Sequence, residues 1–310
     1  MLGRTPREDE LMLTDVAALS TDPLVGTRYR VVRLIGGGLS ADVYEATGPS
    51  GELHAIKVLR HEMRDSQEAA ARLLQEGRLL ASLRHPNLVP LREMGMTRDG
   101  RPFLAMPLLP GETLRETRLR QGALAPAFAA SLVAGALDGL HAAHRHGVVH
   151  RDVKPGNIFL VAANAGPPRP AMLDFGIAKV SGAAARHTTD PQFILGTPRY
   201  IAPEQILDGR VDARTDVYSM GIVLFECIAA RGPFDLLAGS DLLTVMRAHL
   251  GLAPRRLDDV ANVPRAFACV VARALEKKPA RRYPTAAAFA AAIRGAVAPE
   301  AFSGAERRAS

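Results

Sequence analysis

The chain has 310 residues, 47% apolar and 23% charged, with a mean hydropathy of +0.03. That suits one large domain or two smaller ones with a real core, and it excludes wholesale disorder. The formal net charge is +7, but only five of the 39 basic residues are lysine, the arginines are scattered and aromatics are 5%, so no nucleic-acid partner is expected. The longest unbroken apolar run, Ala286 to Ile293, is far shorter than the ~20 residues of a membrane span, and no membrane insertion is expected. The opening MLGRTPREDELMLTD has early acids and no apolar stretch, unlike a signal peptide. Cys227 and Cys269 are the only cysteines, which fits a reducing, cytoplasmic setting.

Residues 1–28 read as a polar tail with one helical turn near Asp9 to Leu19. From Tyr29 the pattern turns strand-like: YRVVRLI, three glycines, then ADVYEAT, which predicts a hairpin. A turn at 48–51 leads to a further strand, ELHAIKVL. Residues 66–83 have helical spacing, with Leu73, Glu76, Leu80 and Leu83 on one face, and His85-Pro86-Asn87 ends the helix. LVPLREMGMTRDGRPFLAMPLL reads as two strands about Asp99-Gly100. Helices follow at 126–146, 213–230, 240–250, 264–275 and 285–296, and residues 161–170 read as a loop. A strand-rich first third before a helix-rich remainder predicts an α+β fold of two lobes, with a cleft near 106–111.

The densest chemistry lies at His150-Arg151-Asp152-Val153-Lys154-Pro155-Gly156-Asn157. Asp174-Phe175-Gly176 stands seventeen residues after Asn157, and Ala202-Pro203-Glu204 follows. Upstream, Gly36-Gly37-Gly38-Leu39-Ser40-Ala41-Asp42-Val43 fits G-x-G-x-x-G-x-V except at Ala41, and His54-Ala55-Ile56-Lys57 follows it. In this order the segments resemble the catalytic domain of bacterial, eukaryotic-like (Hanks-type) serine/threonine protein kinases, from about Tyr29 to Gly295.

The resemblance implies a bilobal fold: a β-rich N-lobe over 29–106, a hinge at 107–110, a helical C-lobe over 111–295 and a tail over 296–310. It implies transfer of the γ-phosphoryl group of ATP, with Mg2+ or Mn2+, to Ser/Thr hydroxyls of protein substrates. Another copy of the chain, met in a transient dimer, would be one such substrate. Asp152 would accept the hydroxyl proton, and Lys154 would offset charge on the transferring group. Asn157 and Asp174 would supply oxygen ligands to the metal. Ile35 through Val43 would cover the phosphates, and glycines let backbone N–H groups approach closely. Lys57 would hold the α/β-phosphates with Glu76 as its partner. Val43 and Ala55 would cover one face of the adenine and Phe159 the other. Met106 would guard the back of that pocket, and the Pro107 carbonyl and the Leu109 backbone would bond the base. Pro107 replaces the family's usual acidic residue and keeps its C=O.

Further expectations concern support and control. Arg151 would pair with a phosphate on segment 174–204, where Thr188 and Thr189 are candidate phosphosites. Thr197 would bond Asp152 and shape the substrate pocket. Glu204 would bridge Arg282, and Asp216 would accept hydrogen bonds from the catalytic-loop backbone. His141, His144 and His146 mimic a metal cluster, but their place just ahead of that loop favours a structural role. Two rivals share parts of this pattern. A pseudokinase scaffold would bind nucleotide and partners without turnover, yet such proteins typically lack the counterparts of Lys57, Asp152 or Asp174. A small-molecule phosphotransferase would have no use for GTPRYIAPE. Alanine at both Thr188 and Thr189 is predicted to reduce activation of the dephosphorylated protein; finding neither residue modified in active protein by mass spectrometry would remove this idea.

Overall fold

The computed structural model describes residues 22–175, 198–207, 209–234 and 241–297. The expected turn near Asp9 to Leu19, Gly176, and the threonines at 188, 189 and 197 lie outside these residues. Two compact units emerge. The described part of the first spans 22–82 and 90–108, and that of the second comprises 83–89, 109–175, 198–207, 209–234 and 241–297.

The first unit is an antiparallel sheet with one helix. Its strands are β1 (Arg30–Gly37), β2 (Ala41–Thr47), β3 (Leu53–Leu59), β4 (Glu93–Met96) and β5 (Pro102–Pro107), in the order β1-β2-β3-β5-β4. Alternation sends Ala46, Ile56, Val58, Phe103 and Ala105 into one core with Leu24 and Tyr29. Helix α1 (Gln67–Ser82) packs on β5 and β3. It buries Ala69, Leu73, Glu76, Gly77 and Leu80, the face predicted from spacing.

Two readings of this unit are corrected. Residues 22–28 are not tail. Leu24 is buried in the core, Val25 C=O accepts from Arg98 N–H at 2.8 Å, and Pro23 C=O accepts from Arg101 at 3.0 Å. A single leucine in a polar stretch carries no period, so pattern reading could not see it. The strand expected from Leu88 begins only at Glu93. Pro90 has no N–H for a ladder, and Val89 N–H instead donates to Met172 C=O at 3.2 Å, within the second unit.

The second unit is mainly helical. A small sheet, β6 (Gly111–Thr113), β7 (Ile158–Val161) and β8 (Arg169–Met172), is antiparallel in the order β6-β7-β8. Its helices are α2 (Leu114–Gln121), α3 (Pro126–His144), α4 (Pro203–Ile206), α5 (Ala213–Ala229), α6 (Leu242–Gly251), α7 (Arg265–Ala274) and α8 (Ala286–Ala296). Helix α2 escaped the sequence reading because its surface is mostly charged. Its start is nonetheless marked by a capping box, Thr113 with Glu116. Helix α3 packs against α5, α8 and β8. Close approach demands Gly139, because a Cβ there would stand 2.5 Å from Asn87 C=O. Helix α5 is buried all round from Thr215 to Ile228, so each polar member needs a partner inside the protein. No helix among the described residues is long and apolar enough to cross a membrane.

Truncating Leu24 to alanine is expected to cost about 2–4 kcal/mol, by lost burial and an unfilled cavity. Hydrogen exchange should show the loss first at the amides of β3 and β5. Unchanged protection there would return residues 22–28 to the tail.

Candidate functional site

Strand register decides which side chains share a face in the first unit. Gly36 pairs with Val43, Val43 with Lys57 and Lys57 with Leu104; alongside, Arg33 pairs with Glu45, Glu45 with Ala55 and Ala55 with Met106. Directly opposed residues point the same way. Val43, Ala55, Lys57 and Met106 therefore lie together on the face opposite the Ile56–Val58 core. Asp42 does not join them. It pairs with Val58 on the other face, and its carboxylate lies 3.6 Å from Arg60. The Arg33–Glu45 ion pair, at 2.6 Å, shares the Ala55–Met106 row and was not foreseen.

Lys57 Nζ donates to both Glu76 oxygens, at 2.8 and 3.1 Å, with the two side chains 13% and 11% exposed. At that burial neither charge is comfortable alone, so each fixes the other. Glu76 can meet Lys57 because it occupies the apolar face of α1. The glycine-rich turn closes through Gly38 N–H donating to Ala41 C=O at 2.8 Å, and Ile35 and Leu39 are exposed at its sides. Pro107 ends β5 opposite His54, and Leu108 N–H donates to Leu53 C=O at 3.3 Å. Leu109 is the first residue of the second unit's longer segment.

In the second unit the loop at 150–157 gathers its polar groups around one carboxylate. Asp152 Oδ2 accepts from Lys154 Nζ at 2.7 Å and from Asn157 Nδ2 at 3.2 Å. Asn157 Nδ2 also donates to Asp152 C=O at 2.8 Å. These bonds use the amide's donor end and leave its Oδ1 as an acceptor. Leu173 N–H donates to Asn157 C=O at 2.9 Å, which ties the loop to the strand leading into Asp174. Asp174 is exposed and has a backbone φ of 36°, and Arg151 has 65°. Left-handed conformations at non-glycine residues are strained and need support from their surroundings. Phe159 sits half-buried on β7, opposite Ala171 and Thr113.

Two buried side chains supply that support. Asp216, at the start of α5, is wholly buried. Its Oδ2 accepts from His150 N–H at 2.8 Å and lies 2.7 Å from His144 Nε2, and its Oδ1 accepts from Arg151 N–H at 2.8 Å. His144 thus completes a hydrogen-bond cluster. His146 Nδ1 is 3.0 Å from Ala142 C=O. His150 Nδ1 accepts from Asp152 N–H at 3.3 Å, so Nε2 carries the proton and donates to Leu173 C=O at 2.8 Å. Burial holds its pKa below the usual histidine value, which favours this neutral form. Its ring packs on Phe175 at 4.9 Å. Gln205 Nε2 donates to Arg151 C=O at 3.0 Å, from α4.

Glu204 and Arg282 form the expected buried bridge, bidentate at 2.7 and 2.8 Å. Arg282 also donates to the carbonyls of Arg214, Glu276 and Lys277, and Thr215 Oγ1 donates to Glu204 at 2.8 Å. A second cluster was missed. Glu226 on α5 accepts from the Tyr200 hydroxyl and pairs with Arg118 at 3.1 Å and Arg199 at 3.7 Å. Burial, reinforced by Glu226, pushes the Tyr200 pKa up, so it stays a donor. The signal was present: a lone acid inside SMGIVLFECIA must have buried partners. Cys227 beside it is core, with burial pushing its thiol pKa up to about 12.

A family profile described as the protein kinase domain matches residues 29–292. Serine/threonine-protein kinase Pkn1 of Myxococcus xanthus is 38% identical over 89% of this chain and 40% of its own length. The DNA damage-responsive serine/threonine-protein kinase RqkA of Deinococcus radiodurans is 38% identical over 88% of this chain and 40% of its own. The chain therefore spans less than half the length of these two relatives. Among solved structures, the Mycobacterium tuberculosis PknI kinase domain aligns with a TM-score of 0.66 at 25% identity, covering 89% of this chain and 98% of that one. Rad53 aligns with a TM-score of 0.69 at 21% identity, covering 85% and 64%, a likeness of fold.

Replacing Arg282 by methionine is expected to cost about 3–5 kcal/mol, because Glu204 is left charged and unpaired in the interior. Adding Glu204→Leu should recover much of the loss in a denaturant titration. A single variant as stable as the parent would show the bridge to be dispensable.

Proposed function

Because this chain belongs to the protein kinase domain family, we propose that it transfers the γ-phosphoryl group of ATP to serine and threonine hydroxyls of proteins, itself included. The observation that carries the reading is the Asp152–Lys154–Asn157 constellation, one carboxylate oriented by an ammonium and an amide. Phosphoryl transfer needs alignment and counter-charge more than covalent help from the protein. Asp152 accepts the proton of the substrate hydroxyl and aims its oxygen at the γ-phosphorus. The new oxygen–phosphorus bond forms as the bond to the β-phosphate oxygen breaks, and ADP leaves. Lys154 offsets negative charge that develops on the transferring group.

The donors at Asn157 Oδ1 and the exposed Asp174 carboxylate are hard oxygens, few in number. They suit Mg2+ or Mn2+, ions that keep waters and share phosphate oxygens. The bound ion would neutralise phosphate charge. Lys57, fixed by Glu76, holds the α/β-phosphates, while Val43, Ala55 and Phe159 cover the adenine. Met106 backs the pocket, and the Pro107 carbonyl and Leu109 backbone bond the base. Arg151 receives a phosphate placed on Thr188 or Thr189, and Thr197 helps seat the substrate. The serine/threonine-protein kinases to which the chain is similar support the serine/threonine preference, and the two unpaired cysteines fit a reducing cytoplasm.

Purified protein with labelled ATP, Mg2+ and a generic basic protein should place label on protein. Asp152→Asn should keep the melting temperature and lower transfer by about two to four orders of magnitude. Binding of ATP without transfer by the unmodified chain would support a scaffold instead, and near-normal transfer by the variant would refute the role of Asp152.

A further inference from the structure

The glycine-rich turn carries a tether that the motif does not include. Arg60, one residue beyond β3, reaches it three times. Its backbone N–H donates to Ser40 C=O at 2.9 Å, its Nη1 donates to Gly38 C=O at 3.2 Å, and its Nε lies 3.6 Å from the Asp42 carboxylate. Together with the Gly38–Ala41 bond, these contacts engage the carbonyls of Gly38, Ser40 and Ala41. Among the described residues, the N–H groups of Leu39 and Ser40 meet no protein acceptor.

We propose that Arg60 is a positioning residue for the nucleotide, its guanidinium drawing the Gly38 carbonyl oxygen and the Asp42 carboxylate to one side so that the N–H groups of the turn are presented to phosphate. The inference rests on the phosphoryl-transfer reading of the site and goes beyond it. Backbone N–H groups in a turn form an anion-binding concavity only while the neighbouring carbonyl oxygens, which repel phosphate, are turned elsewhere. A guanidinium suits this task because it donates to several oxygens at fixed angles. The tether also compensates for Ala41, which removes the backbone freedom of the motif's third glycine. Among the described residues, Glu62 competes for the guanidinium, also at 3.6 Å, and it is exposed.

The point from which Arg60 reaches is itself fixed. Leu59 C=O accepts from Arg101 Nη1 at 3.0 Å, and Arg101, only 4% exposed, is held further by Asp99 and by Pro23 C=O. The packed residues 22–28 thus brace the end of β3 behind the turn.

Arg60→Ala should raise KM for ATP about three- to ten-fold with kcat within about two-fold, the size expected for a half-exposed charged contact. The Kd for ATP, measured by calorimetry, should rise by the same factor, and the melting temperature should hold. Arg60→Lys should restore part of the loss, since charge returns without the fork. Added salt should narrow the gap between parent and alanine variant. An unchanged Kd in the alanine variant, or a fall in kcat at constant KM, overturns the proposal. If the parent binds ATP without transferring it, the phosphoryl-transfer reading fails while the Kd comparison still decides the role of Arg60. A parent that does not bind ATP overturns both.

Discussion

Asp216 is the group on which the second unit's chemistry depends. A carboxylate removed entirely from water is costly unless it is hydrogen-bonded on every side. Here the donors are the backbone N–H groups of His150 and Arg151, and the His144 ring lies against it as well. The strained Arg151 backbone is thereby held, and with it the direction of Asp152, the next residue. The helix that carries Asp216 is buried along its length, so the anchor cannot shift without disturbing the core.

The same helix holds the other buried charges in register. Thr215, beside Asp216, bonds Glu204, whose carboxylate takes the Arg282 fork. Ten residues on from Asp216, Glu226 gathers Arg118, Arg199 and Tyr200. These clusters are poor sources of net stability, since desolvation offsets much of their Coulomb energy. Their effect is geometric. They fix Pro198–Tyr200 and α4 against α5, at the two ends of the short segment that leaves the region of Thr197.

In the first unit, geometry comes from sheet register instead. Once β2, β3 and β5 pair as they do, Val43, Lys57, Ala55 and Met106 must share a face, and a slip by one residue would turn all of them into the core. Glu76 meets Lys57 because the spacing of α1 puts it on the apolar side. Arg60 uses the opposite parity at the end of β3 to reach back to the turn that precedes β2.

Much of this was legible in the residues alone. The α+β class, the helix carrying Glu76 and the hairpin around the glycines follow from period and turn chemistry, which are local properties of the chain, while the Glu204–Arg282 pair was expected only from the family resemblance. What escaped was decided by partners distant in sequence. Leu24 looks like a stray apolar residue until Phe103 and Ile56 surround it. Glu226 looks like an error in an apolar helix until two arginines and a tyrosine arrive from other segments, and Arg60 looks like a solvated charge until the turn folds over it. The amino-acid order determined most of the elements, because periodicity and turn chemistry need no neighbours. Only the tertiary structure decided which carbonyl, carboxylate or ring each group would meet, because burial and hydrogen bonding belong to pairs of residues rather than to single ones.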